Sequence, residues 1–375
     1  MNGFMPPPYP YDRLEDLRDV ARQRFGEALD CSIGTPIDAP PRAVVEAMAS
    51  SDAERGYPPS IGTLDYRSAA AEWMRREMGV ALDPVTEIAA CIGTKEFVAS
   101  TPRYLRLRDP SRDTVLYPAV SYPTYAMGAT LAGCRAVPVP VDDQWRIDLG
   151  RIDAADIERA LCLWVNTPGN PAGGLDDLSA AASWGRANDV VVLSDECYAE
   201  FTWDGPPRTI LTDGVDGVLS VHSLSKRSNL AGIRAGFYAG DPDLVDYLSA
   251  LRKHAGCMVP GPVQNAAAAA WSDQEHVLVQ RDLYRHRLEL AQKIVGALGI
   301  SADLPKGSFY LWVEAPGGDG WGLARTLAER CGVIASPGEF YGPESTGYAR
   351  IAVVQPATAL ELALNRAGDA ATRDG

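Results

Sequence analysis

The chain reads as an α/β protein: a mostly parallel sheet between helices, joined to a smaller α+β domain. Three observations predict this. At 375 residues it is too long for one core and suits two lobes. From about residue 60 to 240, short apolar runs alternate with helical stretches, as in a parallel sheet buried on both faces. After about 270 the order becomes long helix, strand, helix, strand, helix, which suits a second lobe. We expect residues 46–270 to form the large domain and 271–375 the small one. Residues 1–45 would supply a Pro-rich arm, through about Pro10, and part of the small domain.

Taken in order, Thr63 can cap a helix in which Ala70, Met74 and Met78 share a face and Gly79 ends it. Six apolar runs follow: TEIAACIG, TVLYP, ALCLWVN, VVVLSD, GVLSVHS and GIRAGFYAG. Helical stretches such as DDLSAAASWGRAND separate several of them. A long helical pattern runs from Ser272, a candidate cap, to Gly299. Then come strand-like FYLWVEA, helix GLARTLAERCG, VIASP, strand ARIAVV and a last helix from about 356.

Composition narrows the function. The net charge is −14, from 35 Lys and Arg against 49 Asp and Glu. That argues against nucleic acid, whose phosphates need a basic face, and against an anionic membrane surface. Small anionic substrates stay compatible, because a few buried arginines can outvote a distant acidic surface. No apolar stretch reaches the ~18 residues of a membrane span. The start MNGFMPPPYPYDRLEDL has no basic region followed by an apolar run, so no signal peptide is read there and a cytoplasmic protein is expected. Seven cysteines without a CxxC pair read as reduced core residues. Four histidines without a ligand cluster argue against zinc.

Ligands of parallel sheets bind at the carboxyl ends of the strands, and four ends here carry unusual polar groups. Ile92 leads into Gly93-Thr94-Lys95-Glu96 and a helix, whose free N–H groups and dipole suit a phosphate; a plain turn would use the same letters. The third run ends in Asn166-Thr167-Pro168-Gly169-Asn170-Pro171-Ala172-Gly173, a ligand-facing pair of asparagines or simply a turn. The fourth ends at Asp195, with Tyr198 three residues on. A buried acid needs a cation, either a protonated ring nitrogen or a salt-bridge partner. The fifth runs into Leu224-Ser225-Lys226, with Arg234 eight residues later. An amine there would have a lowered pKa and be a better nucleophile, unless it snorkels to solvent.

Together these features resemble the class I/II aminotransferases of fold type I, which work with pyridoxal 5′-phosphate. The match comprises Gly93-Thr94-Lys95 before a helix, Tyr122 in SYPTY, Asn170-Pro171, Asp195-x-x-Tyr198, Ser223-x-x-Lys226 with Arg234, and Arg350. It spans about Ile33 to Val354, with Ala172 in place of a frequent threonine. The resemblance implies a seven-stranded sheet in the large domain and a homodimer. It implies that Lys226 carries the cofactor and moves the proton between Cα and C4′. Asp195 would pair with the pyridinium nitrogen, Tyr198 and Asn170 would bond the 3′-oxygen, and Tyr122 would stack on the ring. Gly93, Thr94, the Lys95 backbone, Ser223 and Arg234 would bind the phosphate, joined by Tyr57 from the neighbouring subunit. Arg350 would grip the substrate α-carboxylate, and Ile33-Gly34 would close over the substrate, which Tyr122 and Asn170 also border.

The stretches HSLSKRSNLAGIRAGF, RKHAGCMVPGPVQ, CSIGTP, SDECYAEF and GEFYGP are similar to actinobacterial-type N-succinyldiaminopimelate aminotransferases. The implied reaction moves an amine from N-succinyl-LL-2,6-diaminopimelate to 2-oxoglutarate, in lysine biosynthesis. The far carboxylates of that donor need cations, and Arg227, Lys253 and His254 are candidates; each also has a structural reading, beside Lys226 or at a helix end. The alternatives are an aspartate, aromatic or N-acetylornithine aminotransferase, or a C–S lyase with the same cofactor. A cofactor-binding transcription regulator is disfavoured, because only about thirty residues precede the matched region.

Overall fold

Seven strands build the central sheet: β1 (Ile88–Cys91), β2 (Thr114–Pro118), β3 (Arg135–Val139), β4 (Ala160–Asn166), β5 (Val191–Asp195), β6 (Val218–Ser223) and β7 (Gly236–Gly240). Their order is β1-β7-β6-β5-β4-β2-β3. All run parallel except β7, which is antiparallel to both neighbours. This computed structural model describes residues 4–374 apart from 51 and 54.

Strands β1, β4, β6 and β7 are buried at every position. That is why their sequences show no in–out alternation. Strand β3 lies outside the six apolar runs. It is an edge strand with Arg135 and Pro138 exposed, and an edge tolerates a proline that cannot donate to the ladder. One face of the sheet packs Leu163, Val192, Val218 and Phe237 against Trp73 and Trp271. The other packs Leu193, Leu219, Val221 and Tyr238 against Phe97 and Tyr125. Each such side chain contributes roughly 2 kcal/mol on burial.

Of the two expected caps, Thr63 is one, whereas Ser272 ends the helix Gly261–Ser272 and its hydroxyl donates to the Ala268 carbonyl at 2.8 Å. Helix α1 (Leu64–Trp73) starts where Thr63 accepts from the Tyr66 N–H at 3.2 Å. It continues as a π-helical turn, Met74–Met78, and stops at Gly79 with φ +71°. Helices α2 (Thr94–Arg108) and α3 (Thr124–Leu131) follow β1 and β2. Asp177 caps α4 (Leu178–Asn188), a four-residue turn α5 spans Leu224–Arg227, and Asp241 caps α6 (Pro242–His254). Helix α7 (Gly261–Ser272) packs on α1 and on the helix Arg42–Ala49. Helix α8 covers Glu275–Ala297, close to the 272–299 expected.

The chain divides into two compact units: Thr35–Asp282 with Lys306–Ser308, and Met1–Gly34 with Leu283–Pro305 and Phe309–Gly375. These bounds depart from 46–270 and 271–375. The helix Arg42–Ala49 packs on α7, so residues 35–45 go with the sheet. The first turns of α8 do too: His276 bonds Ser228, and Arg281 donates to the carbonyls of Glu200 and Thr202. Residues 306–308 stay because Trp203 donates to the Lys306 carbonyl and Ser308 to that of Phe201.

Within the smaller unit, β8 (Tyr310–Glu314), β9 (Ser336–Pro337) and β10 (Tyr348–Ala352) form an antiparallel sheet in the order β9-β10-β8. Leu29–Asp30 pairs in parallel with Val333–Ile334. Helix α9 (Gly320–Cys331) packs against Glu15–Phe25 and against α10 (Ala357–Asp374). Among the described residues no helix is long and apolar enough to cross a membrane, and no cluster of His, Cys, Asp and Glu could hold a metal ion. All seven cysteines are free thiols.

Candidate active site

Register alone brings the polar strand ends to one edge of the large sheet. Asn166 of β4 lies beside Asp195 of β5, and Asp195 lies beside Val221 of β6. Ser223 pairs with Gly236, which pairs with Cys91. The turns carrying Gly93, Asn170, Tyr198 and Lys226 therefore open from the same carboxyl edge. In such a sheet that edge is the ligand-binding one.

At one end of this row the chain forms an anion cradle. Gly93 has φ +87° and ends the turn before α2, a 15-residue helix whose start no side chain caps. A Cβ on Gly93 would run into the Arg234 guanidinium, so the arginine lies directly over the turn. Arg234 itself holds a left-handed backbone, φ 56°, and donates to the Ala231 carbonyl at 2.8 Å. Free helix N–H groups, a dipole end and a guanidinium together suit a phosphate. Ser223 adds a hydroxyl, though it is already engaged: it accepts from the Ser225 N–H at 3.0 Å and meets the Ser225 hydroxyl at 2.8 Å.

The middle of the row carries the acid. Asp195 is buried, and desolvation pushes its pKa up. The Cys197 side chain opposes this, as do the Tyr125 hydroxyl at 3.0 Å on Oδ2 and the Cys197 N–H at 3.3 Å on Oδ1. A buried carboxyl with a raised pKa is stabilised as the anion by a cation, so the position favours a protonated ring nitrogen. Tyr198 is buried beside it. Asn170, also buried, is held by its N–H to Asn166 Oδ1 at 2.8 Å. Tyr122 is half-buried, edge-on to Tyr125 at 6.3 Å, with the Lys95 ammonium 5.9 Å above its ring. Lys226, half-buried in α5, is near enough that its charge acts on the Cys197 thiol.

Other expected residues sit elsewhere. Arg227 is not placed to touch a substrate, and that expectation is corrected. It is 2% exposed and its guanidinium is engaged throughout. Nε pairs with Glu200 at 3.0 Å, Nη1 donates to the Ala270 carbonyl at 2.6 Å, and Nη2 donates to the Asp273 carbonyl at 3.0 Å and Gln274 at 2.9 Å. It also stacks over Trp73 and Trp271, at 5.6 and 5.1 Å. Lys253 and His254 are exposed at the end of α6, while their neighbour Arg252 is buried against Glu96 at 2.5 and 3.0 Å. Tyr57 is 97% exposed and so does not join the strand-end cluster of its own chain.

A second group forms within the smaller unit. Arg350, 1% exposed on β10, donates to the Ser32 carbonyl at 2.6 Å and lies over Tyr310 and Tyr341, at 4.0 and 4.8 Å. The Ser32 carbonyl is next to Ile33, which is 39% exposed, and Gly34 is so close to Tyr310 that a Cβ would meet its hydroxyl. Arg350, Ile33 and Gly34 are thus brought together.

Sequence reasoning missed Tyr125, Cys197 and the Glu96–Arg252 pair. Tyr125 carried a readable signal: it stands three residues after Tyr122 in SYPTY, at the start of the helix Thr124–Leu131. For Arg252, the apolar spacing of Leu244, Val245 and Leu248 placed it on the buried side of α6 and Lys253 off it.

Comparison with known proteins agrees with this geometry. The family profile "Aminotransferase class I and II" matches residues 27–366. The chain is 38% identical over 354 residues to a 4-dedimethylamino-4-oxo-anhydrotetracycline transaminase of Streptomyces rimosus, covering 92% of this chain and 94% of that one. It is 34% identical to an LL-diaminopimelate aminotransferase of Desulforudis audaxviator, covering 96% and 94%. Among solved structures, a probable N-succinyldiaminopimelate aminotransferase of Thermus thermophilus superposes with a TM-score of 0.85 at 30% identity, covering 96% of this chain and all of that one. With an anion cradle, a buried acid and a lysine on one sheet edge, and this family match along nearly its whole length, the chain belongs to the class I and II aminotransferases, which depend on pyridoxal phosphate.

Proposed function

We propose that the chain transfers the amine of N-succinyl-LL-2,6-diaminopimelate to 2-oxoglutarate, as a cytoplasmic homodimer acting in lysine and diaminopimelate biosynthesis. The products are N-succinyl-2-amino-6-oxopimelate and glutamate. The observation that carries the donor is the likeness, along nearly the full chain, to relatives whose names refer to diaminopimelate and its succinyl derivative.

In this reading Gly93, Thr94, the Lys95 N–H, Ser223 and Arg234 hold the cofactor's phosphate, with Tyr57 reaching it from a second copy. Its 97% exposure leaves Tyr57 available for that. Asp195 holds the ring nitrogen, Tyr198 and Asn170 the 3′-oxygen, and Tyr122 one ring face. Bound pyridoxal phosphate supplies an electron sink for the pair left at Cα. Lys226 carries the cofactor, takes the Cα proton and delivers it back on the other side of the exchange. Arg350 binds the substrate α-carboxylate by a bidentate fork, and Ile33-Gly34 closes over it. Lys253 and His254 are the candidates left for the distal carboxylates; their exposure supports this, and the engagement of Arg227 removes that competitor.

A second reading is favoured by the 38% identity to the tetracycline-pathway transaminase: the acceptor would be a bulky cyclic ketone. Steady-state kinetics with a panel of donors separates the two. The succinylated donor should give the highest kcat/KM with 2-oxoglutarate, and Lys253→Ala should raise its KM much more than that of glutamate. An enzyme indifferent to the succinylated donor, or equal KM changes for both donors, would overturn the assignment.

A further inference from the structure

The first turn of α2 carries an acid that the roles above leave unexplained. Gly93 is the N-cap of this helix, so Thr94, Lys95 and Glu96 are its first three residues. A glutamate at the third position ordinarily reaches back toward the N-cap N–H, drawn by the positive end of the helix dipole. There it would occupy a donor and set a negative charge beside any bound anion.

Glu96 is turned the other way. Its Oε1 accepts from the Ser100 hydroxyl at 2.7 Å, one turn further along α2, and from Arg252 Nη1 at 3.0 Å. Its Oε2 accepts from Arg252 Nη2 at 2.5 Å, which completes a two-pronged fork. The Cys257 thiol lies 3.8 Å from Oε1. Arg252 is itself fixed: it is 1% exposed in the last turn of α6, with its guanidinium over the Phe97 and Tyr238 rings at 5.4 and 5.8 Å. A buried arginine from a remote helix thus takes up the carboxylate nearest the start of α2.

We propose that Arg252 is a positioning residue of the cofactor site: it neutralises Glu96 and holds its carboxylate along α2, away from the N–H groups that receive the cofactor's phosphate. This rests on the assignment of Gly93, Thr94 and Arg234 to that phosphate. The test is equilibrium dialysis of the full-length chain with pyridoxal phosphate and, separately, with pyridoxal, which lacks the phosphate. A charge at a partly buried helix terminus shifts binding by about 5- to 30-fold. Arg252→Met, which keeps an apolar stem, should weaken pyridoxal phosphate binding by that factor and leave pyridoxal within about twofold. Adding Glu96→Gln to Arg252→Met removes the released charge and should bring pyridoxal phosphate back to within about twofold of wild type. Glu96→Gln alone should bind it no more weakly than wild type, and this variant decides the matter if Arg252→Met does not fold. Equal losses for both ligands in Arg252→Met, unchanged binding in that variant, a loss that survives in the double variant, or a loss of about fivefold or more in Glu96→Gln each overturns the proposal. A wild-type chain that binds pyridoxal phosphate no more tightly than pyridoxal overturns the phosphate assignment, and this inference with it.

Discussion

Replacing Arg227 with alanine separates a structural arginine from a substrate-binding one. In the wild type, Glu200 is buried and accepts from Trp73 Nε1 at 2.7 Å, Arg227 Nε at 3.0 Å and Gln274 Nε2 at 2.8 Å. Removing the guanidinium leaves that carboxylate without its cation. It also deprives the Ala270 and Asp273 carbonyls of a donor and strips two indole faces of a stacked charge. Breaking a buried pair by deleting one partner costs about 3–5 kcal/mol. At a urea dependence of about 1–3 kcal/mol per molar, the denaturation midpoint should fall by at least about 1 M. Because Arg227 directly follows Lys226, kcat should fall too, but KM for dicarboxylic and simple donors should change alike. A variant as stable as wild type, with KM raised only for the succinylated donor, would falsify this reasoning.

Two further substitutions probe the same sheet edge. Tyr125→Phe removes a donor to Asp195; a hydrogen bond to a charged group contributes about 1.5–3 kcal/mol, so the dissociation constant of pyridoxal phosphate should rise about tenfold or more. An unchanged constant, measured by equilibrium dialysis, would contradict the role given to Tyr125. Asp176 is buried under the Asn166–Gly173 turn, bonded to Thr167 and the Ile147 N–H, and burial pushes its pKa up to about 6. A folded-state pKa raised above the unfolded value contributes stability that is present at low pH and lost as pH rises through about 6. Asp176→Asn should therefore gain on the wild type between pH 4 and 7, by up to on the order of 3 kcal/mol in unfolding free energy. Parallel stability curves for the two proteins across that range would contradict it.

The sheet was readable because its strands are buried on both faces. Uninterrupted apolar runs such as ALCLWVN and VVVLSD have few other places to go in a fold of this size, and a polar group at the end of such a run must meet something. That logic points to Asp195, Lys226 and the Gly93-Thr94 turn, all of which end or follow strands whose register ends at one carboxyl edge. It failed where a residue's fate depends on partners remote in sequence. Arg227 looked like a free cation beside Lys226, but Glu200, Ala270, Asp273 and Gln274 claim it. The edge strand Arg135–Val139 was passed over because exposure and Pro138 dilute its apolar signal. Local pattern also gave no hint that 306–308 return to the large unit, since backbone bonds to Phe201 and Trp203 hold them there.

The central claim is that Lys226 carries the cofactor. The full-length chain would be incubated with pyridoxal phosphate, reduced with borohydride to fix any lysine–cofactor bond, digested and analysed by mass spectrometry. In parallel, amine exchange between glutamate and a 2-oxo acid would be followed. The account predicts the cofactor's mass on the peptide bearing Lys226, and loss of both the modification and the exchange in Lys226→Ala. Modification of a different lysine, or exchange that survives in Lys226→Ala, would contradict it.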